Sequence, residues 1–327
     1  MPHVLVAGKI HDAGIDLLRQ ADGVSFDLVD EVSTESYAPL IGRADAVVIR
    51  TQPMPASVIS QALRLQIVSR HGVGYDAVDV NALNERRIPL AVCGDVNSLS
   101  VAEHTMMLML AVAKRVVTMH NGVRDGGWAV RTRYDGVELG GRTLLLLGFG
   151  RIGRHVGRLA SAFGMKVLAH DPHQSDEQVR SGGAEPARDL AASWGRADVV
   201  SVHSPKVGDA PLIGATEIAQ MRRDAIIVNT SRGGLVDPGA LIRALDEGRL
   251  SGAGLDVFDP EPPPPGSPIL RHERLVLSPH TAGLTAEASM RMAVGAVSNV
   301  LKFFEGRVDP TLIVNRAELS QPTHVHA

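Results

Sequence analysis

The chain has 327 residues, room for about two domains of ordinary size. Hydrophobic residues make up 44% of it, which supports a real core and excludes wholesale disorder. Lys and Arg total 33 against 36 Asp and Glu, so a net charge of −3 gives no bulk attraction to nucleic acid or a membrane surface, and 3% aromatic residues are too few for a stacking platform.

In chain order, the first third alternates short apolar runs with helical patterns. Strands are predicted at Val4–Ala7, Ser25–Val29, Ala46–Arg50, Gln66–Arg70 and Pro89–Val92, with helices such as Ala13–Gln20 and Val78–Arg86 between them. This rhythm predicts crossover units and a parallel sheet. A long helix is then predicted from Val101 to Val123, apolar on most of its circumference through Met106–Val112 and therefore buried on several sides. After a connection rich in Gly and Arg, Asp125 to Gly141, the alternation restarts. Strands are predicted at Thr143–Leu147, Lys166–His170, Val199–His203, Ala225–Thr230, Gly254–Phe258 and Arg274–Leu277. The helix from Asp237 to Glu247 has Asp237 as N-cap, Pro238 at its first position and Gly248 at its end. Pro260–Pro265 reads as a stiff loop, and a last helix, about Ala286 to Glu305, precedes a polar tail, predicted to be disordered, that ends in His324-Val325-His326-Ala327.

Cys93 is the single cysteine, so no internal disulfide and no cysteine-based metal centre is expected, and a reducing, cytoplasmic setting fits. The N-terminus lacks the layout of a signal peptide, and no apolar run reaches the about 20 residues of a membrane span.

The clearest chemical signal is Leu147-Gly148-Phe149-Gly150-Arg151-Ile152-Gly153. A buried strand runs into G-x-G-x-x-G and a helix follows. In this context Gly148 makes the tight turn, Gly150 lets backbone approach a pyrophosphate, Gly153 lets helix and strand pack, and the free N–H groups at the helix start face the phosphates. The next strand ends in Asp171, about 20 residues on, where a carboxylate accepts from a ribose 2′-hydroxyl and repels a 2′-phosphate. NAD is therefore expected over NADP. The bland alternative is a glycine-rich turn followed by an Asp-Pro turn.

Three later segments each follow a predicted strand, where open α/β sheets place ligands: Asn229–Gly234, Gly254–Pro262 and Ser278–Gly283. Carbonyl chemistry with a nicotinamide needs a proton donor near neutral pH, a carboxylate to orient it and a cation to clamp an anionic substrate. Arg232, Glu261 and His280 supply one of each. Taken singly they also read as a solvated arginine, a surface acid and a capping histidine.

Together with GVGYDAVD (72–79), SVAEHT (100–105) and VHSP (202–205), these segments resemble the signature motifs of the D-isomer-specific 2-hydroxyacid dehydrogenases along nearly the whole chain. The resemblance implies an α/β fold of two tandem doubly wound parallel-sheet domains. A Rossmann-type NAD-binding domain, 99–286, is inserted into a flavodoxin-like substrate domain, 1–98 plus 287–327, with the site in the cleft between them. It implies hydride transfer between NAD(H) and a small D-2-hydroxy acid/2-oxo acid pair, such as phosphoglycerate, glycerate/hydroxypyruvate or glyoxylate. It carries the catalytic roles onto Arg232, Glu261 and His280. Cofactor contacts fall on Gly148, Gly150 to Gly153, Asp171, Ser204, Thr230 and Asp256, the last toward the nicotinamide amide. Substrate contacts fall on the backbone of Val73 and Gly74 and on Arg50 and Arg70, which Arg131 or Arg133 would join. A homodimer through the apolar helix is expected, with no metal, nucleic-acid or membrane partner.

The chain departs from the family pattern at Asp76-Ala77, where Asp-Asn is usual, and at Lys206-Val207, where Leu-Thr is usual. A regulatory domain like that of some phosphoglycerate dehydrogenases is not expected, nor feedback through one. Formate enzymes of this fold carry glutamine at the position of Glu261. The alternative from another class is an NAD-sensing binding protein or corepressor, which shares the fold and the trio.

Overall fold

The computed structural model describes residues 1–320; the polar tail ending in Ala327 lies outside them. Two compact units divide the chain: Met1–Asn97 with Leu284–Ala327, and Ser98–Gly283.

Among the described residues, the first unit holds five strands: β1 (His3–Ala7), β2 (Ser25–Val29), β3 (Ala46–Ile49), β4 (Ile67–Arg70) and β5 (Leu90–Ala91). They form one parallel sheet in the order β2-β1-β3-β4-β5, the flavodoxin-like doubly wound order. The inner strands β1 and β3 are almost continuously apolar because both faces are covered, which is the sequence mark of a parallel sheet. The Asp12–Gln20 helix and the long Ala286–Phe304 helix pack together, and Ile15, Leu18, Ala293, Ala296, Val297 and Val300 join Val4, Val6 and Val48 in one core cluster.

The second unit holds seven strands: β6 (Thr143–Leu147), β7 (Lys166–His170), β8 (Glu185–Pro186), β9 (Val199–Val202), β10 (Ala225–Asn229), β11 (Leu250–Leu255) and β12 (Leu275–Leu277). All pair parallel, in the order β12-β11-β10-β9-β6-β7-β8. Strand order reverses between β6 and β9, so the carboxyl ends of these two strands form the topological switch point at which such sheets bind ligands. The short strand β8 has no counterpart in the sequence reading. It contributes two residues, too few for an alternation to register.

Two expectations need correction. The predicted strand Gly254–Phe258 starts and stops earlier, at Leu250 and Leu255, because beyond Leu255 the backbone leaves the ladder to form the loop that carries Glu261. The predicted helix Val101–Val123 is two helices, Ser98–Ala113 and Val116–Arg124, broken at Arg115 in the left-handed region (φ 54°). Neither Gly nor Pro marks the break. A tertiary contact makes it: the Ala113 carbonyl accepts from Val137 N–H at 2.8 Å, and the Arg115 guanidinium donates to the Ser251 carbonyl at 2.8 Å. The first helix is buried along most of its length, whereas the second buries no residue. The first lies flush on β11 because that strand presents glycine: a Cβ on Gly254 would stand 2.8 Å from Leu108 Cβ. No helix of the described residues is long and apolar enough to cross a membrane.

Candidate active site

All three segments singled out in the second unit leave the carboxyl ends of neighbouring strands, β10, β11 and β12. After β10, the Asn229 side chain accepts from Ser231 N–H at 3.0 Å and donates to the Arg232 carbonyl at 2.8 Å, closing a tight loop that presents Arg232. After β11, the chain passes Asp256 and reaches Glu261 between two cis X-Pro bonds. The two loops are in direct contact: a Cβ on Gly233 would fall 1.7 Å from the Phe258 carbonyl oxygen.

After β12, His280 adopts φ 54°, a conformation L-residues avoid. It is held there by its own N–H, which donates to the Asp256 carbonyl at 2.8 Å. Its ring Nδ1 lies 2.7 Å from Glu261 Oε2, while Glu261 Oε1 accepts from Phe258 N–H at 2.9 Å. A carboxylate only accepts, so Nδ1 carries a proton and Nε2 is the atom left to give or take one. The structure thus brings Glu261 and His280 into one hydrogen-bonded pair, and the loop of Arg232 against the loop of Glu261.

The dinucleotide fingerprint has the geometry its glycines imply. Gly148 has φ +96°, and a Cβ there would lie 2.7 Å from the His203 carbonyl group. A Cβ on Gly153 would stand 2.4 Å from the Gly148 carbonyl oxygen, whereas above Gly150 the space is open. The Arg151–Ala162 helix starts at Gly150 with no side-chain cap, so its first amides point outward as donors. Asp171 accepts from Phe149 N–H at 2.8 Å and His173 N–H at 2.9 Å. Those bonds use about two of a carboxylate's four acceptor positions and leave the others for hydroxyls. The Ser204 hydroxyl is buried without a hydrogen-bond partner, an orphan that a bound polar group would satisfy. These residues fit a dinucleotide.

Thr230 and Asp256 are committed more deeply. Thr230 Oγ1 lies 2.9 Å from Thr105 Oγ1, which also lies 2.8 Å from the Val101 carbonyl. Asp256 is fully buried, and its oxygens meet the Ser278 hydroxyl at 2.6 Å and the amides of Thr281 and Ala282 at 2.9 Å each. His104 meets Ser278 at 2.7 Å as Thr105 meets Thr230; the only sequence signal for these pairings is that SVAEHT (100–105) and the segments Asn229–Gly234 and Ser278–Gly283 are all family motifs.

The departure at Lys206 also finds a partner. Its ammonium pairs with Asp259 at 2.7 Å, and this pairing holds the Lys206 pKa above its ordinary value. His203, just after β9, is pushed down to about 3 by loss of solvation. Among the described residues no group of three His, Cys, Asp or Glu is placed to hold a metal ion.

In the first unit, Arg50 and Arg70 lie at the carboxyl ends of β3 and β4, with Val73 and Gly74 just beyond. Arg50 donates to the Lys9 carbonyl at 3.2 Å and Arg70 to the His71 carbonyl. Burial first, then the charges of Arg70 and Arg50, push His71 down to about 4.

Comparison with known proteins agrees with this architecture. Residues 106–282 match the family model of the D-isomer specific 2-hydroxyacid dehydrogenase, NAD binding domain. The chain is 37% identical over 323 residues to a glyoxylate reductase of Aeropyrum pernix, covering 95% of this chain and 96% of that one. It is 35% identical to a D-3-phosphoglycerate dehydrogenase of Methanocaldococcus jannaschii, covering 98% of this chain but 61% of that relative's length. The crystal structure of the TT0316 protein of Thermus thermophilus superposes with a TM-score of 0.87 at 35% identity, over 94% of this chain and 98% of that one. A glyoxylate reductase from Paecilomyes thermophila gives 0.85 at 27%, over 97% and 99%. With the doubly wound sheets and the dinucleotide fingerprint, these likenesses make the chain a member of the D-isomer-specific 2-hydroxyacid dehydrogenases, NAD-dependent oxidoreductases of small hydroxy acids.

Proposed function

We propose that the protein reduces a small 2-oxo acid of the glyoxylate and hydroxypyruvate class to its D-2-hydroxy acid, with His280 as proton donor. The observation that carries the assignment is the His280–Glu261 pair at 2.7 Å, which leaves His280 Nε2 as the only ring atom able to serve the carbonyl oxygen. A nicotinamide cofactor, when bound, would supply the hydride for reduction and accept it in oxidation. Glu261 orients the imidazole and stabilises its charged form, itself fixed by the Phe258 amide. Arg232 binds the substrate carboxylate and polarises its carbonyl. In oxidation, neutral His280 takes the hydroxyl proton.

In this reading Ser98–Gly283 is the cofactor domain and the other unit the substrate domain. Asp171 selects NAD over NADP, and Gly148 to Gly153, Ser204, Thr230 and Asp256 hold the dinucleotide. The substrate class is supported by the glyoxylate reductases of Aeropyrum pernix and Korarchaeum cryptofilum among the relatives. A second reading, a phosphorylated substrate, is favoured by Arg50 and Arg70 at adjacent strand ends. The apolar groove of about 510 Å³ lined by Met106, Met107, Leu110, Val116, Leu159 and Phe163 supports a homodimer, which sedimentation would test. The single buried Cys93 fits a cytoplasmic setting.

The deciding experiment assays glyoxylate, hydroxypyruvate, pyruvate and phosphohydroxypyruvate with NADH and NADPH, on the wild type and on His280→Ala. We expect the variant to lose about 10²-fold or more in kcat with NADH binding little changed. Near-normal turnover in it would remove His280 from the mechanism, and no turnover of any acid by the wild type would favour an NAD-sensing role.

A further inference from the structure

The Ser98–Ala113 helix does more than fill the core. Two of its polar residues, the neighbours His104 and Thr105, each reach a strand end that carries the proposed chemistry. Thr105 meets Thr230, two residues before Arg232, and His104 meets Ser278, two residues before His280. Thr105 and Thr230 are buried, and the His104 side chain is 18% exposed.

The direction of the hydrogen bonds at Ser278 follows from elementary bookkeeping. Ser278 Oγ lies 2.6 Å from Asp256 Oδ1 and 2.7 Å from His104 Nε2. The hydroxyl has one proton, and an ionised Asp256 can only accept it. His104 Nε2 therefore donates to Ser278, and Ser278 donates to Asp256. The remaining contacts of Asp256 are the amides of Thr281 and Ala282, which flank the far side of His280, and its backbone carbonyl takes the His280 N–H. His104 Nε2 also stands 3.6 Å from the same Asp256 oxygen, an ionisable donor beside this buried carboxylate. Without His104, the Ser278 hydroxyl could rotate away, and Asp256 would lose one of the bonds that keep the 278–282 turn, and the left-handed His280, in place.

We propose that His104 is a positioning residue for the reaction: it orients Ser278 on Asp256 and thereby holds the turn that presents His280. The proposal rests on the reading of His280 as proton donor. It also explains why this helix lies flush on β11. Only with glycine at position 254 does the backbone of Leu108, one turn beyond His104, come close enough for the imidazole to reach across to β12.

The test is steady-state kinetics on His104→Leu, His104→Gln, Ser278→Ala and the double variant His104→Leu/Ser278→Ala, with NADH affinity and melting temperature measured on each. His104→Leu should lower kcat about tenfold by loosening the turn, with KM for NADH changed less than about threefold. His104→Gln, whose amide can place a donor near Nε2, should recover most of the loss. The double variant should be no slower than the slower single one, because both remove the same chain of hydrogen bonds. Unchanged kcat in His104→Leu, losses that multiply in the double variant, or failure of glutamine to rescue a folded protein would each overturn the proposal. If His104→Leu does not fold, Ser278→Ala and His104→Gln carry the decision: tenfold loss in the first with near-normal kcat in the second supports the relay, and any other pattern rejects it. His280→Ala separates the two levels. If it is inactive while His104→Leu is fully active, only the positioning role fails; if His280→Ala is itself active, the reading beneath it fails.

Discussion

The two ends of the seven-stranded sheet are built from similar residues and do different work. At the amino end, half-buried charge is stitched into the frame. The Asp198 carboxylate accepts from Thr143 N–H at 2.9 Å and pairs with Arg142 at 3.4 Å and Arg222 at 3.2 Å, tying the starts of β6, β9 and β10 together. At the carboxyl end, Asp256 makes comparable bonds, but to a hydroxyl and to the amides of a turn whose central residue keeps one ring nitrogen free. One carboxylate joins the starts of neighbouring strands. The other fixes a turn at the end of the sheet where open α/β folds bind their ligands.

That contrast can be attacked from either end. The largest effect should come from Glu261→Gln, which keeps the shape of the side chain but removes the charge behind the imidazole. We expect kcat/KM to fall about 10²-fold with little change in melting temperature, and a loss under threefold would reduce Glu261 to a spacer. Asp198→Asn should do the reverse. It costs about 1–3 kcal/mol of stability, visible by chemical denaturation, and leaves kcat within about twofold. A catalytic defect there would erase the distinction between the two ends.

A smaller effect sharpens the comparison by pH. His203, at the carboxyl end of β9, has its folded pKa pushed to about 3 by burial, below the ordinary 6.5 of the unfolded chain. Between these values the unfolded state binds a proton that the folded state refuses, so stability falls as pH drops from about 6.5 toward 3 and is unaffected above that window. The slope is about 1.4 kcal/mol per pH unit for this one group. His203→Gln should flatten the profile by that amount; an unchanged slope would show that His203 is protonated in the native protein.

Much of this is legible in the chain. The strands β6 and β7 and the Pro238–Asp246 helix stand where the sequence places them because apolar runs, an N-cap and a terminal glycine all agree there. The fingerprint and the three later segments can be found because each follows a strand, but the choice of Arg232, Glu261 and His280 within them rests on the family resemblance. What escapes has a common cause. The break at Arg115 is imposed by partners at Val137 and Ser251, and the pairing of His104 with Ser278 joins residues more than half the chain apart. Neither is encoded in local periodicity, so only the fold reveals them.

Gly233 carries a last consequence. It bears no functional group, yet even a methyl group at that position would collide with the backbone after β11 and pry the loop of Arg232 from the loop of Glu261. A saturation scan scored by turnover would therefore rank it with the reactive side chains. Its contribution is vacancy: a space one carbon wide that no other amino acid can leave open.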